Sequence, residues 1–495
     1  MSTDRGAALK QHFTDAEPIK HLMGYLLGNV DGCTVLEPSV GHGSFLSALL
    51  GTPQRVDAVD VDDAAITIAR TKFDKPYIHF HTGDFIDMFV SRVSGNACGV
   101  TSRVYDTVIS NPPYGLYLDL EYRKAIKRTF PRLYSRESFG LFFAFATSLL
   151  ANDGRYVFLL PDTLLASVNH RPLRELMCSR AAPTHIIRFP SKLFESVKFG
   201  YGNLCIIAGN NKKLTREDTV NWLDVFDRSP LSRELLRSTR PLPGSIFIDN
   251  AQVGWSASMF DARQESHAGW PSLHELAECR TGIYTGNNET FLGFDSGRAH
   301  RRSNGHPIDW VRQVFTEPLS AEQMRLGING ERCYVPFIRG GHKGPFDKPT
   351  WAIRWDADAL AYYKNDKKAR FQNTAFYFRE GLAVPMVTTK RISASLMNSS
   401  VFDQGVVGVF PYDSALIPAL LLYLNSQHAS EMVKRLTNGS ANNSANYLKR
   451  LRVPPFNRKD IQRAAKLVKN AQYSRVFPLN ACDVFTNDVI TTLPA

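Results

Sequence analysis

At residues 105–117 the chain reads "YDTVISNPPYGLY". The run "YDTVIS" (105–110) has the apolar, β-branched make-up of a buried strand. Two successive prolines stop it, because neither has an N–H to give to a ladder. Ser110 therefore leads into a stiff loop at a strand's carboxyl end, where open α/β sheets hold their ligands.

Outward from this point, strands and helices alternate through the first 210 residues. Candidate strands lie at 33–40, 55–62, 77–85, 154–162, 184–190 and 202–210, with helical stretches such as "DDAAITIARTKF" (62–73) and "ESFGLFFAFATSLLAND" (137–153) between them. The early strands begin about 20–30 residues apart, the period of βαβ units. These features predict a Rossmann-like, doubly wound sheet. The short polar connection between 184–190 and 202–210 predicts an antiparallel hairpin at the sheet edge. Beyond residue 211 the periodicity becomes mixed, and "STRPLPGS" (238–245) reads as a linker. This predicts two domains, 1–237 and 238–495, the second of mixed α/β character.

A chain of 495 residues exceeds one typical core, which agrees with that division. No apolar run approaches the ~20 residues of a membrane span, and the polar start "MSTDRGAALKQHFTD" has no signal-peptide core. Seven scattered cysteines form no C-x-x-C pair, so neither a disulfide framework nor a zinc site is indicated and a reducing cytoplasm fits. The histidines show no metal spacing, and His79 and His81 on one strand face read as a satisfied or solvated pair. Net charge is +12, divided as +4 over 1–240 and +8 over 241–495. That bias makes a polyanionic partner plausible.

The chemistry-bearing residues gather at strand ends. "VLEPSVGHGSFL" (35–46) comes after strand one, and Gly41 and Gly43 make a tight turn where backbone N–H groups can approach a ligand. It is neither G-x-G-x-x-G nor a P-loop. Asp60, ending strand two, is placed to accept from ribose hydroxyls. Asp84 and Phe85, ending strand three, are placed to read and pack on an adenine. Together they point to a nucleoside-containing cofactor. In "NPPY" the prolines set the backbone so that the Asn111 side-chain oxygen and the Pro112 carbonyl point at one place. Two acceptors side by side suit an exocyclic NH₂, whose conjugated lone pair becomes available as the nitrogen pyramidalises. Tyr114, next to Pro113, is placed to stack on the ring that carries the amine.

"HFTD" (12–15), "EPSVGHGSFL", "DVD" (60–62), "GDF" (83–85), "NPPY" and "GRYVFLLPDTLL" (154–165) occur in one order. That order resembles the gamma-class DNA adenine-N6 methyltransferases of restriction–modification and phage-defence systems, in which a catalytic domain precedes a target-recognition domain. "TGIYTGNNETFL" (281–292) and "NSANYLKRLRVPPF" (443–456) extend the resemblance more loosely. It implies S-adenosylmethionine as methyl donor, with Thr14, Glu37, Pro38, Gly41 and Gly43 along its methionine side. Asp60 would then hold the ribose, and Asp84 with Phe85 the adenine. Asn111 and Pro112, braced by Pro113, would hold the target N6. Tyr114 and Phe194, or Phe199 in its place, would stack on a flipped-out adenine. "HFTD" lacks the proline that commonly comes after the threonine, and "DVD" has a shorter acid than the glutamate frequent at its first position.

Extruding a base costs a few kcal/mol, which stacking of ~1–3 kcal/mol per base would offset. Phosphate contacts on double-stranded DNA are expected from the basic second half. Candidates are Arg301, Arg302, Lys343, Lys367, Lys368, Arg370, Lys390 and Arg391, with Tyr362, Tyr363, Phe371, Phe376, Tyr377 and Phe378 interleaved. No metal is needed for displacement at a sulfonium. About ten residues precede the first motif, so restriction activity is expected in a separate endonuclease or defence subunit. Other readings are a methyltransferase acting on cytosine N4 or an RNA base, and a non-catalytic DNA-recognition subunit of a defence complex.

Overall fold

The structure is a computed structural model. It describes residues 17–493 apart from 97–98, 115–117, 135–136, 191–202, 226–231, 257–268, 295–299, 302–306, 309–311, 313, 316, 331, 341–343, 347–348, 389–390, 438–442, 475–476 and 478. The chain forms two compact units, Met1–Met259 and Phe260–Ala495.

In the first unit, nine strands make one sheet: β1 Thr34–Glu37, β2 Arg55–Asp60, β3 Ile78–Thr82, β4 Tyr105–Ser110, β5 Leu150–Pro161, β6 Ala182–Pro190, β7 Asn203–Asn210, β8 Thr219–Asp224 and β9 Arg240–Pro243. Their order is β3-β2-β1-β4-β5-β7-β6-β8-β9. The first five run parallel, as βαβ crossovers demand. Val35, Leu36, Val56, Val59, Val108, Ile109, Val157 and Leu159 are fully buried, the continuous apolar runs of a sheet covered on both faces. Helices α1 Glu17–Leu27, α2 Asp63–Lys72, α3 Phe85–Val93, α4 Leu120–Thr129 and α5 Phe139–Thr147 accompany these strands. Every residue of α5, "FGLFFAFAT", is buried, so this helix is apolar all round.

Strand order reverses at β1, with β2 on one side and β4 on the other. The crevice beyond the carboxyl ends of β1 and β4 is thus the topological switch point, where ligands of such sheets sit. Glu37 ends β1 and Ser110 ends β4, with Leu36 paired to Val108.

Two expectations are corrected. The β6–β7 pair is antiparallel as expected, but it is not the edge. β7 inserts between β5 and β6, and β8 then pairs parallel with β6. "TVNWLD" carries Val220 and Trp222 into the core, and the polar stretch before it hid that strand. Residues 240–243 are not a linker but edge strand β9, paired to β8. Prolines are tolerated on an edge, where a missing N–H leaves no partner unsatisfied.

The second unit has two four-stranded sheets. One runs Ala277–Thr281, Val406–Pro411, Gly381–Pro385, Ser395–Met397, all antiparallel. The other runs Leu292–Phe294, Trp351–Arg354, Tyr334–Ile338, Val401–Phe402 and is mixed. Helices Ile417–Leu424, Gln427–Leu436, Arg458–Ser474 and Leu479–Thr492 share a core with the first sheet through Leu421, Val433, Val468 and Phe485. No helix among the described residues is long and apolar enough to cross a membrane.

Candidate active site

The turn after β1 is held by its own backbone. Val40 N–H donates to the Val59 carbonyl, and Gly43 N–H donates back to the Val40 carbonyl, both at 2.8 Å. Gly41 (φ +51°) and Gly43 (φ +81°) are left-handed, a conformation costly for other residues. A Cβ on Gly43 would also lie 2.6 Å from the Phe73 ring. Gly41 N–H donates to Asp60 Oδ2 at 2.8 Å and Asp62 N–H to Asp60 Oδ1 at 3.0 Å. Asp60 therefore fastens the glycine turn to the end of β2, while Asp62 caps α2 through Ala64 N–H.

Glu37 is fully buried beside Pro38, and neither of its carboxylate oxygens has a hydrogen-bond partner among the described residues. Burial, and secondarily the charge of Asp60, push its carboxyl well above the ordinary glutamate range. A buried polar group with no partner carries a cost that a donor brought by a ligand would remove.

Asp84 and Phe85 stand at the expected strand end, with further local duties. Asp84 Oδ1 accepts from Ile86 N–H (2.8 Å) and Asp87 N–H (3.2 Å), which makes it the N-cap of α3. Phe85 is only 1% exposed and its ring packs against Phe142, centroids 5.5 Å apart. Its ring, read as a surface for an adenine, is a core contact here.

After β4, Asn111 and Pro113 are half-buried, and Pro112 and Tyr114 are buried. No hydrogen bond reaches the Pro112 carbonyl from any described residue. Tyr114 differs from the stacking surface read from the sequence. It is 3% exposed, and its hydroxyl bonds to the Leu159 carbonyl (2.9 Å) and to Asn111 Oδ1. A buried phenol seeks acceptors, and β5 and Asn111 supply two. Asp162, beyond the end of β5, is pushed up to about 6 by burial, while Arg188 (3.3 Å) and Asn203 (3.2 Å) donate to its Oδ2. Asp162 lies within the motif at 154–165, and sequence reading gave it no role.

Thr14, Phe194, Phe199, Arg302, Lys343 and Lys390 lie outside the described residues. Arg301 belongs to a two-residue strand whose side chains are likewise outside. Lys367, Lys368 and Arg370 are exposed, with no side-chain ion pair among the described residues. Arg391 is committed inside its unit, donating to Asp483 Oδ1 (2.7 Å) and to the Asn425 carbonyl, so its expected phosphate contact is replaced by a tie between a loop and two helices. The interleaved aromatics are core: Tyr363, Tyr377 and Phe378 are buried, and Tyr362, Phe371 and Phe376 pack against them. Sequence reading passed over a second basic surface. On the helix Arg458–Ser474, Lys459, Lys466 and Lys469 are exposed near one helical face, a spacing visible as i, i+7, i+10. His81 is a satisfied histidine, its Nε2 2.8 Å from the fully buried Asp57 carboxylate, which Arg55 and Tyr105 also reach.

Parts of the chain are similar to known proteins. Residues 55–194 match the model of the Eco57I restriction-modification methylase family. The Type II methyltransferase M.AccI of Acinetobacter calcoaceticus is 24% identical over 311 residues, 59% of this chain and 54% of that protein. The chain thus spans about half the length of that curated relative. Among solved structures, the DrdV–DNA complex superposes with a TM-score of 0.56 at 12% identity, covering 95% of this chain and 57% of that one. The type IIL restriction-modification enzyme MmeI in complex with DNA gives 0.54 at 12% identity, covering 97% and 73%. At such identities the likeness is one of fold.

Proposed function

We propose that the chain is an S-adenosylmethionine-dependent DNA methyltransferase of a restriction–modification or related phage-defence system. It transfers a methyl group to N6 of an adenine turned out of double-stranded DNA, in the gamma-class arrangement with the catalytic unit ahead of the target-recognition unit. It works in the cytoplasm. The observation that carries this reading is one crevice: Glu37 and the Gly41 turn end β1, while Asn111 and the Pro112 carbonyl come after neighbouring β4, with neither the Glu37 carboxyl nor the Pro112 carbonyl partnered among the described residues. The match of residues 55–194 to a restriction-modification methylase family supports the reaction class.

The residues present fit the cofactor. Glu37 is a buried acceptor, unpartnered among the described residues, that a donor such as an α-ammonium group would satisfy. Asp60, which holds the glycine turn at the end of β2, is the proposed ribose acceptor. Asp84, the N-cap of α3, is the proposed acceptor for an adenine amino group. When bound, S-adenosylmethionine supplies an electrophilic methyl group on a sulfonium.

Asn111 Oδ1 and the Pro112 carbonyl accept the two N–H bonds of the target amine. As the nitrogen becomes tetrahedral its N–H bonds grow more acidic, so both acceptors bind the transition state better than the planar ground state. Entry of the base requires Tyr114 to release Asn111 Oδ1, after which its ring stacks on the base. Lys367, Lys368 and Arg370 hold the phosphate backbone.

The test is incubation of purified protein with labelled methyl donor and unmethylated genomic DNA, then nucleoside analysis. N6-methyladenine is expected. Label found only in N4-methylcytosine, RNA or protein, or in no acceptor, overturns the reading.

A further inference from the structure

Three successive carbonyls of the proline elbow meet different fates. The Asn111 carbonyl accepts from Ser39 Oγ at 3.2 Å, and the Pro113 carbonyl accepts from Ser138 Oγ at 2.8 Å. The Pro112 carbonyl between them accepts from no described residue. Ser39 belongs to the turn after β1, between Pro38 and Gly41, and Ser110 Oγ lies 3.0 Å from its hydroxyl. Since Ser39 donates to Asn111, Ser110 donates to Ser39, which sets a directed chain Ser110–Ser39–Asn111. Ser138 is fully buried at the N-cap of α5, yet its side chain makes no capping bond to that helix and turns to the elbow instead. A hydroxyl at an N-cap ordinarily stabilises its own helix, so this one is diverted.

We propose that Ser39 and Ser138 are positioning residues that brace the Asn111–Tyr114 elbow from both sides and thereby aim the Pro112 carbonyl at the target amine. The proposal rests on the methyltransferase reading of the site. Each peptide is planar, so pinning the Asn111 and Pro113 carbonyls fixes the planes before and after the Pro112 unit. Both proline φ angles are set by their rings. Two torsions, ψ of Pro112 and ψ of Pro113, remain, and the two pinned planes restrict both. The Ser39 bond also carries information between the ligand sites, because any shift of the glycine turn that moves Ser39 moves the Asn111 peptide.

The experiment uses the full chain and compares the parent with Ser39→Ala, Ser39→Thr, Ser138→Ala and the double Ser39→Ala/Ser138→Ala. Hydrogen–deuterium exchange of the peptide covering 105–114 is monitored in the free protein. Methyl incorporation into unmethylated genomic DNA is measured at saturating and subsaturating DNA, and melting temperature is recorded for each. Each alanine variant is expected to exchange at least threefold faster at the elbow and to lose at least tenfold in kcat. Half-saturating DNA stays within twofold, and Ser39→Thr, which keeps the hydroxyl, recovers to within threefold of the parent. The double variant is expected to lose less than the product of the single losses, since both act on one elbow. A double variant within twofold of the parent in both exchange and kcat overturns the proposal, as does a rise in half-saturating DNA with kcat intact. Should Ser138→Ala fail to fold, Ser39→Ala against Ser39→Thr decides alone. A parent that labels no acceptor removes the methyltransferase reading, and the exchange measurement then still decides whether the serines brace the elbow.

Discussion

The Gly41 backbone N–H donates to Asp60 Oδ2 at 2.8 Å, joining the turn after β1 to the end of β2. The acid expected to serve a ribose is thus also the clamp of the glycine turn. Its second oxygen holds Asp62 N–H at the start of α2. Losing hydrogen bonds to a charged group costs about 1.5–3 kcal/mol. Asp60→Ala is therefore expected to weaken S-adenosylmethionine binding by roughly 10–100-fold by the same range, read by titration calorimetry. Asp60→Asn, which keeps one acceptor oxygen, should lose less.

Glu37 predicts a pH signature. Burial raises its carboxyl above the ordinary value of 4.5, so the folded, ligand-free chain favours the protonated form. The stability this contributes is complete below that ordinary value and is lost as pH rises through the raised one. Glu37→Gln stays neutral throughout. In the free protein it should melt with the parent at acid pH and about 2–4 °C above it at alkaline pH, the shift that ~1 kcal/mol produces in a domain of this size. Its affinity for S-adenosylmethionine should fall.

Asn111→Ala removes one of the two acceptors for the amine. By analogy with loss of one oxyanion-hole donor, methyl incorporation should drop by roughly 10²–10³-fold. Retention of duplex DNA in a filter or gel assay should be unchanged.

Tyr114 separates ring from hydroxyl. Tyr114→Phe keeps the stacking surface and removes the contact that occupies Asn111 Oδ1, so its rate should stay within tenfold of the parent. Tyr114→Ala loses stacking as well, about 1–3 kcal/mol, and should be slower than the phenylalanine variant. Fluorescence of a 2-aminopurine placed at the methylated position checks whether base extrusion keeps the same order.

Lys367, Lys368 and Arg370 are the candidate phosphate contacts that remain exposed. Converting all three to Gln should weaken DNA binding across sequences. The log–log salt slope should become less negative by about 0.9 for each phosphate no longer neutralised. An unchanged slope transfers the role to another surface, such as Lys459, Lys466 and Lys469.

The features legible in the sequence were local. The runs at 55–60, 105–110 and 203–210 are strands because their β-branched and apolar side chains fill a sheet covered on both faces, and prolines and glycines after them mark strand ends. Strand order was less legible. That β7 separates β5 from β6 is a long-range pairing no short window encodes. Prolines at 241 and 243 suit either a linker or an edge strand, and the free edge of β8 selects the strand. At the site, spacing placed Asp60, Asp84 and Asn111 at or just past the carboxyl ends of β2, β3 and β4, on one edge of the sheet. The Asp84 cap was a local pattern, an acid before the apolar run 85–93, that the ligand reading passed over, whereas the inward turn of Tyr114 depends on Leu159, 45 residues away and brought close by folding. Arg391 is tied to Asp483 and the aromatics near 370 pack inward, which charge and ring count alone do not reveal, since they do not distinguish a surface from an inward face.

The wedging of β7 between β5 and β6 also sets a schedule for biosynthesis. A nascent chain halted on the ribosome before residue 203 holds β5 and β6 but lacks the strand that belongs between them. Both then expose unpaired backbone that a neighbouring chain can capture. Release past Asn210 closes that gap, and release past Pro243 completes the far rim. The window before Asn210 emerges, when β5 and β6 both lack β7, is where a chaperone has most to shield in the life of this protein.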